Sequence, residues 1–388
     1  MLDVKSPNAA VPILIIVLGV MFNGNYWPMV GGDPSFNRRV QGSLVHKYSI
    51  LWTFKSQWHI DSSAVVDGDG NIYFGGWDGL IYSISRDGNL RWKLRTKGLI
   101  WGTPCLCKDV VAVASGDMNL YILKKDGTLV RRVPLDSLAY ASLTCYENCI
   151  YALTENGGLY KVDASGNIIW RLNLNHSAEI SVSAADGRIF ASTIDTLYII
   201  STEGEVLKHY YLGCKLSVAA AIFNSTVYLP LSNGCLLSLR YPEGVKWILN
   251  LNNTVRALAV TKEGNIYLAI QNMVYLVNGR GQVVWKMKLP NFISTLLTDE
   301  YGSVIAGAYT GEIYILSNNT FQEIASLNSK MRSQIAPTRD GIVALLWDGR
   351  VVLLGEHRAW KNPLLTYIPV ATLVLLILTL ITYKRSRD

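Results

Sequence analysis

Few reactive side chains in this 388-residue chain stand at spacings that would let them act together. The cysteines are Cys105, Cys107, Cys145, Cys149, Cys214 and Cys235. Cys145 and Cys149 flank the short stretch Tyr146, Glu147 and Asn148, so a disulfide across that turn is the pairing the spacing predicts. Cys105 and Cys107 lie two apart, on one face of an extended strand, where they cannot bond each other. Pairing of the remaining four stays open. The histidines, His46, His59, His176, His209 and His357, have no cysteine at the short intervals of a zinc site. No G-x-S-x-G context marks a nucleophilic serine. These residues lead to the expectation of no catalytic, cofactor-binding or metal-ligating set, and an enzyme is the less favoured class.

What must position any site is a repeat. An aromatic or apolar residue recurs at Tyr73, Ala112, Tyr151, Phe190, Tyr228, Tyr267, Ile305 and Val343, in steps of about 39 residues. Eight or nine residues later comes a second series: Tyr82, Tyr121, Tyr160, Tyr198, Leu237, Tyr275, Tyr314 and Val352. A third position holds Trp92, Trp170, Trp247 and Trp285, with Arg131 and Lys208 replacing tryptophan in two copies. Glycine-bearing turns such as Asp87-Gly88 and Asp126-Gly127 separate the second position from the third. Glycine supplies the positive φ of tight hairpins without a steric cost. Each unit therefore reads as four short antiparallel strands, which is a propeller blade. The expected fold is all-β, an eight-bladed β-propeller of four-stranded antiparallel blades, plus a C-terminal transmembrane helix.

The eighth unit lacks a fourth strand of its own. A spare strand lies at the other end, in SILWTFK, where Trp52 stands forty residues before Trp92. Residues 49–55 are therefore predicted to close the last blade, and the tryptophans Trp52, Trp92, Trp170, Trp247 and Trp285 to pack between blades. In a register taken from Asp61, the axial positions read Ile100, Ala139, Ala178, Leu216, Val255, Ile293 and Arg332. Asp61 and Arg332, from the first and last blades, are expected to form a structural ion pair.

Units of the form IYFGGWDGLIYSISRDGNLRW and IYALTENGGLYKVDASGNIIW resemble the repeats of pyrroloquinoline-quinone-type propellers. That family includes quinoprotein alcohol and sugar dehydrogenases and the outer-membrane assembly lipoprotein of Gram-negative bacteria. The stretch YWPMVGGDPSFNRR is similar to the family's lead-in to its first unit. For a cofactor-binding member the resemblance implies adjacent cysteines, a ring-stacking tryptophan, calcium ligands and a catalytic aspartate. No two cysteines here are adjacent. The style is closest to the non-catalytic scaffold members.

The apolar run over 363–383 carries no formal charge, spans about 30 Å as a helix and is followed by a basic tail over 384–388. Residues 1–25 read as a signal peptide or N-terminal anchor, residues 26–357 as the propeller and 358–362 as a juxtamembrane linker. Together these predict a cell-membrane protein, single-pass or double-pass, with the propeller outside and the tail inside. The sequons at Asn175, Asn224, Asn252 and Asn318 are candidate glycosylation sites in that setting. The net charge is +7 without a Lys/Arg stripe, so nucleic acid is not an expected partner. The expected function is a membrane-anchored extracytoplasmic scaffold, non-catalytic, that binds membrane or surface proteins, with its oligomeric state open. The alternative is a quinone-dependent or other surface redox enzyme with its site on one propeller face.

Overall fold

The computed structural model describes residues 27–29, 31–40, 48–178, 182–317 and 320–356. They form eight four-stranded antiparallel sheets. Blade 1 is Val65–Val66, Ile72–Gly75, Leu80–Ile84 and Leu90–Arg95, and blade 2 is Cys105–Cys107, Val110–Ser115, Asn119–Lys124 and Leu129–Pro134. The pattern continues to blade 8, whose inner strand Ala336–Thr338 lies beside Val65–Val66 of blade 1. Second strands are apolar on both faces because a neighbouring blade covers each face, and all six residues of Val110–Ser115 are buried. Outer strands such as Leu90–Arg95 are largely exposed, with every second side chain partly covered.

The tryptophans of the outer strands join each blade to the next. Trp92 of blade 1 donates its indole N–H to the Lys125 carbonyl of blade 2 at 2.9 Å. Its ring lies where a Cβ on Gly127 would be, 2.8 Å away, and Gly127 also has φ +93°. The glycine therefore serves the turn and the docking together. Trp52, Trp170 and Trp247 dock in the same way on Arg86, Thr202 and Gly279 carbonyls. At the joint of blades 2 and 3, Arg131 lies over Gly166 and donates to Asn167 Oδ1 at 2.6 Å.

The strand Ser49–Lys55 is the outermost strand of blade 8. It pairs antiparallel with Arg350–Gly355, from Ser49 opposite Gly355 to Lys55 opposite Arg350, with an irregularity between Ile50 and Trp52. The Arg86–Asp340 ion pair at 2.8 Å spans the same joint.

The lead-in segment has a role that its sequence did not disclose. Trp27 exchanges two main-chain hydrogen bonds with Val66 of blade 1, and Leu106 of blade 2 donates to the Pro28 carbonyl. Ala184, Ile222, Val260 and Thr298 donate to the carbonyls of Pro34, Ser35, Asn37 and Arg38, reaching blades 4, 5, 6 and 7. Inner strands expose one edge towards the axis, and the segment satisfies those edges while closing that end of the bore.

Two expectations are corrected. The described residues contain no α-helix, and none of them forms a helix long and apolar enough to cross a membrane. The described residues form an all-β propeller with no transmembrane helix among them, and the membrane-anchored topology and membrane partners expected with that helix are not supported. Hydropathy alone prompted them. Within the described residues, apolar runs such as Val110–Ser115 are spent between blades, and the run over 363–383 lies outside those residues. The second correction concerns the disulfide. Cys145 bonds Cys107, 38 residues away, with Cα atoms 5.5 Å apart, and Cys149 is free. In the hairpin Cys145 faces Ile150 while Cys149 faces Tyr146, so the turn cannot bring the expected pair together. Cys107 and Cys145 instead sit on the inner strands of blades 2 and 3, where neighbouring blades converge.

Candidate functional site

The face opposite the closed end is formed by the connectors that lead into each inner strand and by the turns between second and third strands. Hydroxyl groups tie these connectors around the ring. Gln334 N–H donates to Ser63 Oγ, Ser63 N–H to Thr103 Oγ1, and Thr103 N–H to Ser142 Oγ. Farther round, Thr144 Oγ1 donates to the Val182 carbonyl, Ser183 Oγ to the Ala220 carbonyl, and Ile335 N–H to Thr295 Oγ1. Each bond joins one blade to the next and fixes the residues just before it.

Those residues differ from the axial set expected from the sequence. Main-chain bonds place His59, Leu99, Leu138, Ser177, Lys215, Phe292 and Lys330 at equivalent positions, each accepting from the second turn of its blade. The next residues, Ile60, Ile100, Ala139, Ala178, Leu216, Ile293 and Met331, are buried core. One further on come Asp61, Trp101, Tyr140, Ser217, Ser294 and Arg332, all at least partly exposed. Arg256 follows buried Val255 in the same way. Of the expected axial set, Asp61 and Arg332 lie at the mouth, whereas the apolar members fall one residue early. The first step of the repeat is forty residues, the same step that separates Trp52 from Trp92. Applying it would have revealed a mouth bearing charges, hydroxyls and aromatic rings.

A cavity of about 460 Å³ opens here between blades 6, 7 and 8, lined by Arg256, Phe292, Ile293, Ser294, Tyr309, Thr310, Arg332 and Gln334. Ser294 Oγ is anchored by the carbonyls of Gly307 and Met331. Arg332 Nη1 lies 3.4 Å from Asp61 Oδ2, and its guanidinium carbon sits 4.8 Å from the centre of the Trp347 ring. Trp347 stacks on His59 at 4.6 Å, its carbonyl meets His59 Nδ1 at 2.7 Å, and Trp77 meets it edge-on at 4.9 Å. Arg332 is therefore held from two sides, and Arg256 shares its cavity.

Burial raises the affinity of Asp61 for a proton more than Arg332 and His59 lower it. The ion pair therefore does not offset the desolvation of the carboxylate. The sign follows from linkage: with its folded pKa raised, Asp61 favours folding while protonated, and that contribution fades as pH rises through the folded pKa. Replacing Asp61→Asn should leave stability near neutrality little changed. The wild type should gain stability relative to the variant as pH falls from about 7 to about 4. Melting both proteins across that range checks this; a constant difference, or one of opposite sign, refutes it.

Among the described residues no three His, Cys, Asp or Glu side chains gather as a metal site. Asn175, Asn224 and Asn252 are exposed, and Asn318 lies outside the described residues.

The family described as outer membrane protein assembly factor BamB matches residues 77–226, and no curated protein sequence matches the chain. The BamB structure from Moraxella catarrhalis is 15% identical at a TM-score of 0.65, covering 81% of this chain and 99% of that one. Quinohemoprotein alcohol dehydrogenase from Comamonas testosteroni is 12% identical at a TM-score of 0.74, over 88% of this chain and 82% of that one. A europium-containing methanol dehydrogenase is 8% identical at 0.72, over 86% and 98%. The chain has the eight-bladed propeller fold of the pyrroloquinoline-quinone-like kind, which catalytic and non-catalytic proteins share. At these identities the likeness concerns the fold alone. The expected membrane-anchored scaffold is corrected as to its anchor, because no helix among the described residues is long and apolar enough to cross a membrane; dehydrogenases with the same fold keep its alternative in view.

Proposed function

We propose that the chain is a quinone-dependent oxidoreductase whose site is the mouth between blades 6, 7 and 8. The observation that carries this reading is the convergence of two guanidinium groups, Arg256 and Arg332, with the rings of Phe292 and Tyr309 on one cavity of about 460 Å³. Pockets of roughly 300–1,000 Å³ suit small ligands. Arginines facing such a pocket select planar carboxylates, which accept two parallel hydrogen bonds. A carboxylated quinone fits that chemistry in size, charge and flatness; when bound it accepts two electrons from a substrate. Arg256 and Arg332 would hold its carboxylates while Phe292 and Tyr309 cover its ring. Asp61, beside Arg332 and with its proton affinity raised by burial, would accept the hydroxyl proton of an alcohol. The donor set for a divalent cation is not met by the described residues, so no step passes through a metal. The dehydrogenases similar in fold support the class.

Calorimetric titration with pyrroloquinoline quinone, with and without calcium, tests the proposal. Stoichiometric binding is expected, weakened about 100-fold by Arg332→Ala or Arg256→Ala. Loaded protein should then pass electrons from a primary alcohol to a dye. Absence of binding under both conditions overturns the reading.

A further inference from the structure

Besides the mouth, the propeller contains a buried guanidinium, that of Arg38, one nitrogen of which has no hydrogen-bond partner. Arg38, in the segment that closes the bore, is only 6% exposed. Its backbone is fixed on both sides: its N–H donates to the Gly31 carbonyl, and its carbonyl accepts from Thr298, each at 3.1 Å. It sits in the left-handed region at φ +52°. The chain thus holds this residue with almost all of its surface away from solvent. Arg38 Nη1 is enclosed and has no hydrogen-bond partner, and the same is true of Asn37 Oδ1 and Arg39 Nη1 on either side. Burial alone pushes the guanidinium down to about 10, and no neighbouring carboxylate contributes. It remains charged at neutral pH. An ionised group without a partner in such a setting is strongly unfavourable, so natural folds supply a counter-ion. Acidic residues meet arginines elsewhere, as at Arg86–Asp340 and Arg171–Asp136, but among the described residues none forms an ion pair with Arg38.

We infer that the bore-closing segment binds a small inorganic anion, of the halide class, on the Arg38 guanidinium. A halide needs no room for a planar group and accepts N–H donors from any direction, which suits an enclosed site with a single guanidinium edge free. The anion completes the closed end of the propeller and so acts on stability. The inference is independent of ligand binding at the mouth.

The full chain is melted in sodium chloride and in sodium gluconate at equal ionic strength. Chloride should raise the melting temperature along a saturating curve, by about 2 °C or more over two decades of concentration. Arg38→Met keeps the length of the side chain and removes the charge; its melting temperature should be the same in both salts. Bromide-soaked crystals of the wild type, read by anomalous scattering, should show a peak within hydrogen-bonding distance of Arg38 Nη1. This measurement does not depend on the variant folding. Equal melting of the wild type in the two salts, a chloride effect that persists in Arg38→Met, or water alone beside Arg38 in the bromide crystals would overturn the inference.

Discussion

Removal of Ser49–Lys55 is expected to cost the ring at least about 4 kcal/mol, a large share of the net stability of about 5–15 kcal/mol that folded domains hold. The deletion takes away the ladder to Arg350–Gly355, the Trp52 indole bond to the Arg86 carbonyl, and the packing of Leu51, Trp52 and Phe54 against the joint of blades 8 and 1. It also bares a strand, Arg350–Gly355, that is almost wholly buried in the intact protein. An uncovered apolar strand edge pairs with other chains. Thermal melts and size-exclusion chromatography should therefore show both lost stability and association. A variant that melts within a degree of the wild type and stays monodisperse to the same extent would contradict the closure described above.

The second large effect is expected from Trp27→Ala. Trp27 is 4% exposed, belongs to the core at the joint of blades 8 and 1, and carries the two main-chain bonds to Val66. Truncating a buried tryptophan removes about 3–5 kcal/mol. The local signature separates a loosened closing segment from general destabilisation. Exchange of the amides of Val66, Leu106 and Ala184, which donate to the segment, should accelerate more than that of Val113 or Ala152 in the second strands of blades 2 and 3. Equal acceleration at both sets would mean that the segment does not hold the axial edges as a unit.

The blades were legible because their signal is local and repeated. Tyr82, Tyr121 and Tyr160 mark one strand position, and a glycine turn follows each before the docking residue Trp92, Arg131 or Trp170. The closing strand was legible for the same reason, since Trp52 falls one step before Trp92. The mouth was harder to read. Its residues have no common type: Asp61, Trp101, Tyr140, Ser217, Arg256, Ser294 and Arg332 share only a register, and the expected one slipped at the forty-residue first step. The Cys107–Cys145 bond was invisible to spacing within a hairpin because it depends on how two blades converge. The closing segment could not be read at all from periodicity. It pairs through main-chain groups, which its side chains do not encode.

The order in which the chain is made gives the closure a kinetic meaning. Ser49 and Gly355 are paired across 306 residues. Translation yields the N-terminal strand first and its partner last. Blades built from neighbouring hairpins can form as they emerge, but the ring cannot shut until blade 8 has left the ribosome. Until then Ser49–Lys55 has no partner, and the axial edges accumulate one blade at a time. At about 5–20 residues per second, that interval lasts on the order of half a minute. During this window the nascent protein carries an unpaired strand, an exposed edge of the kind that pairs with other chains.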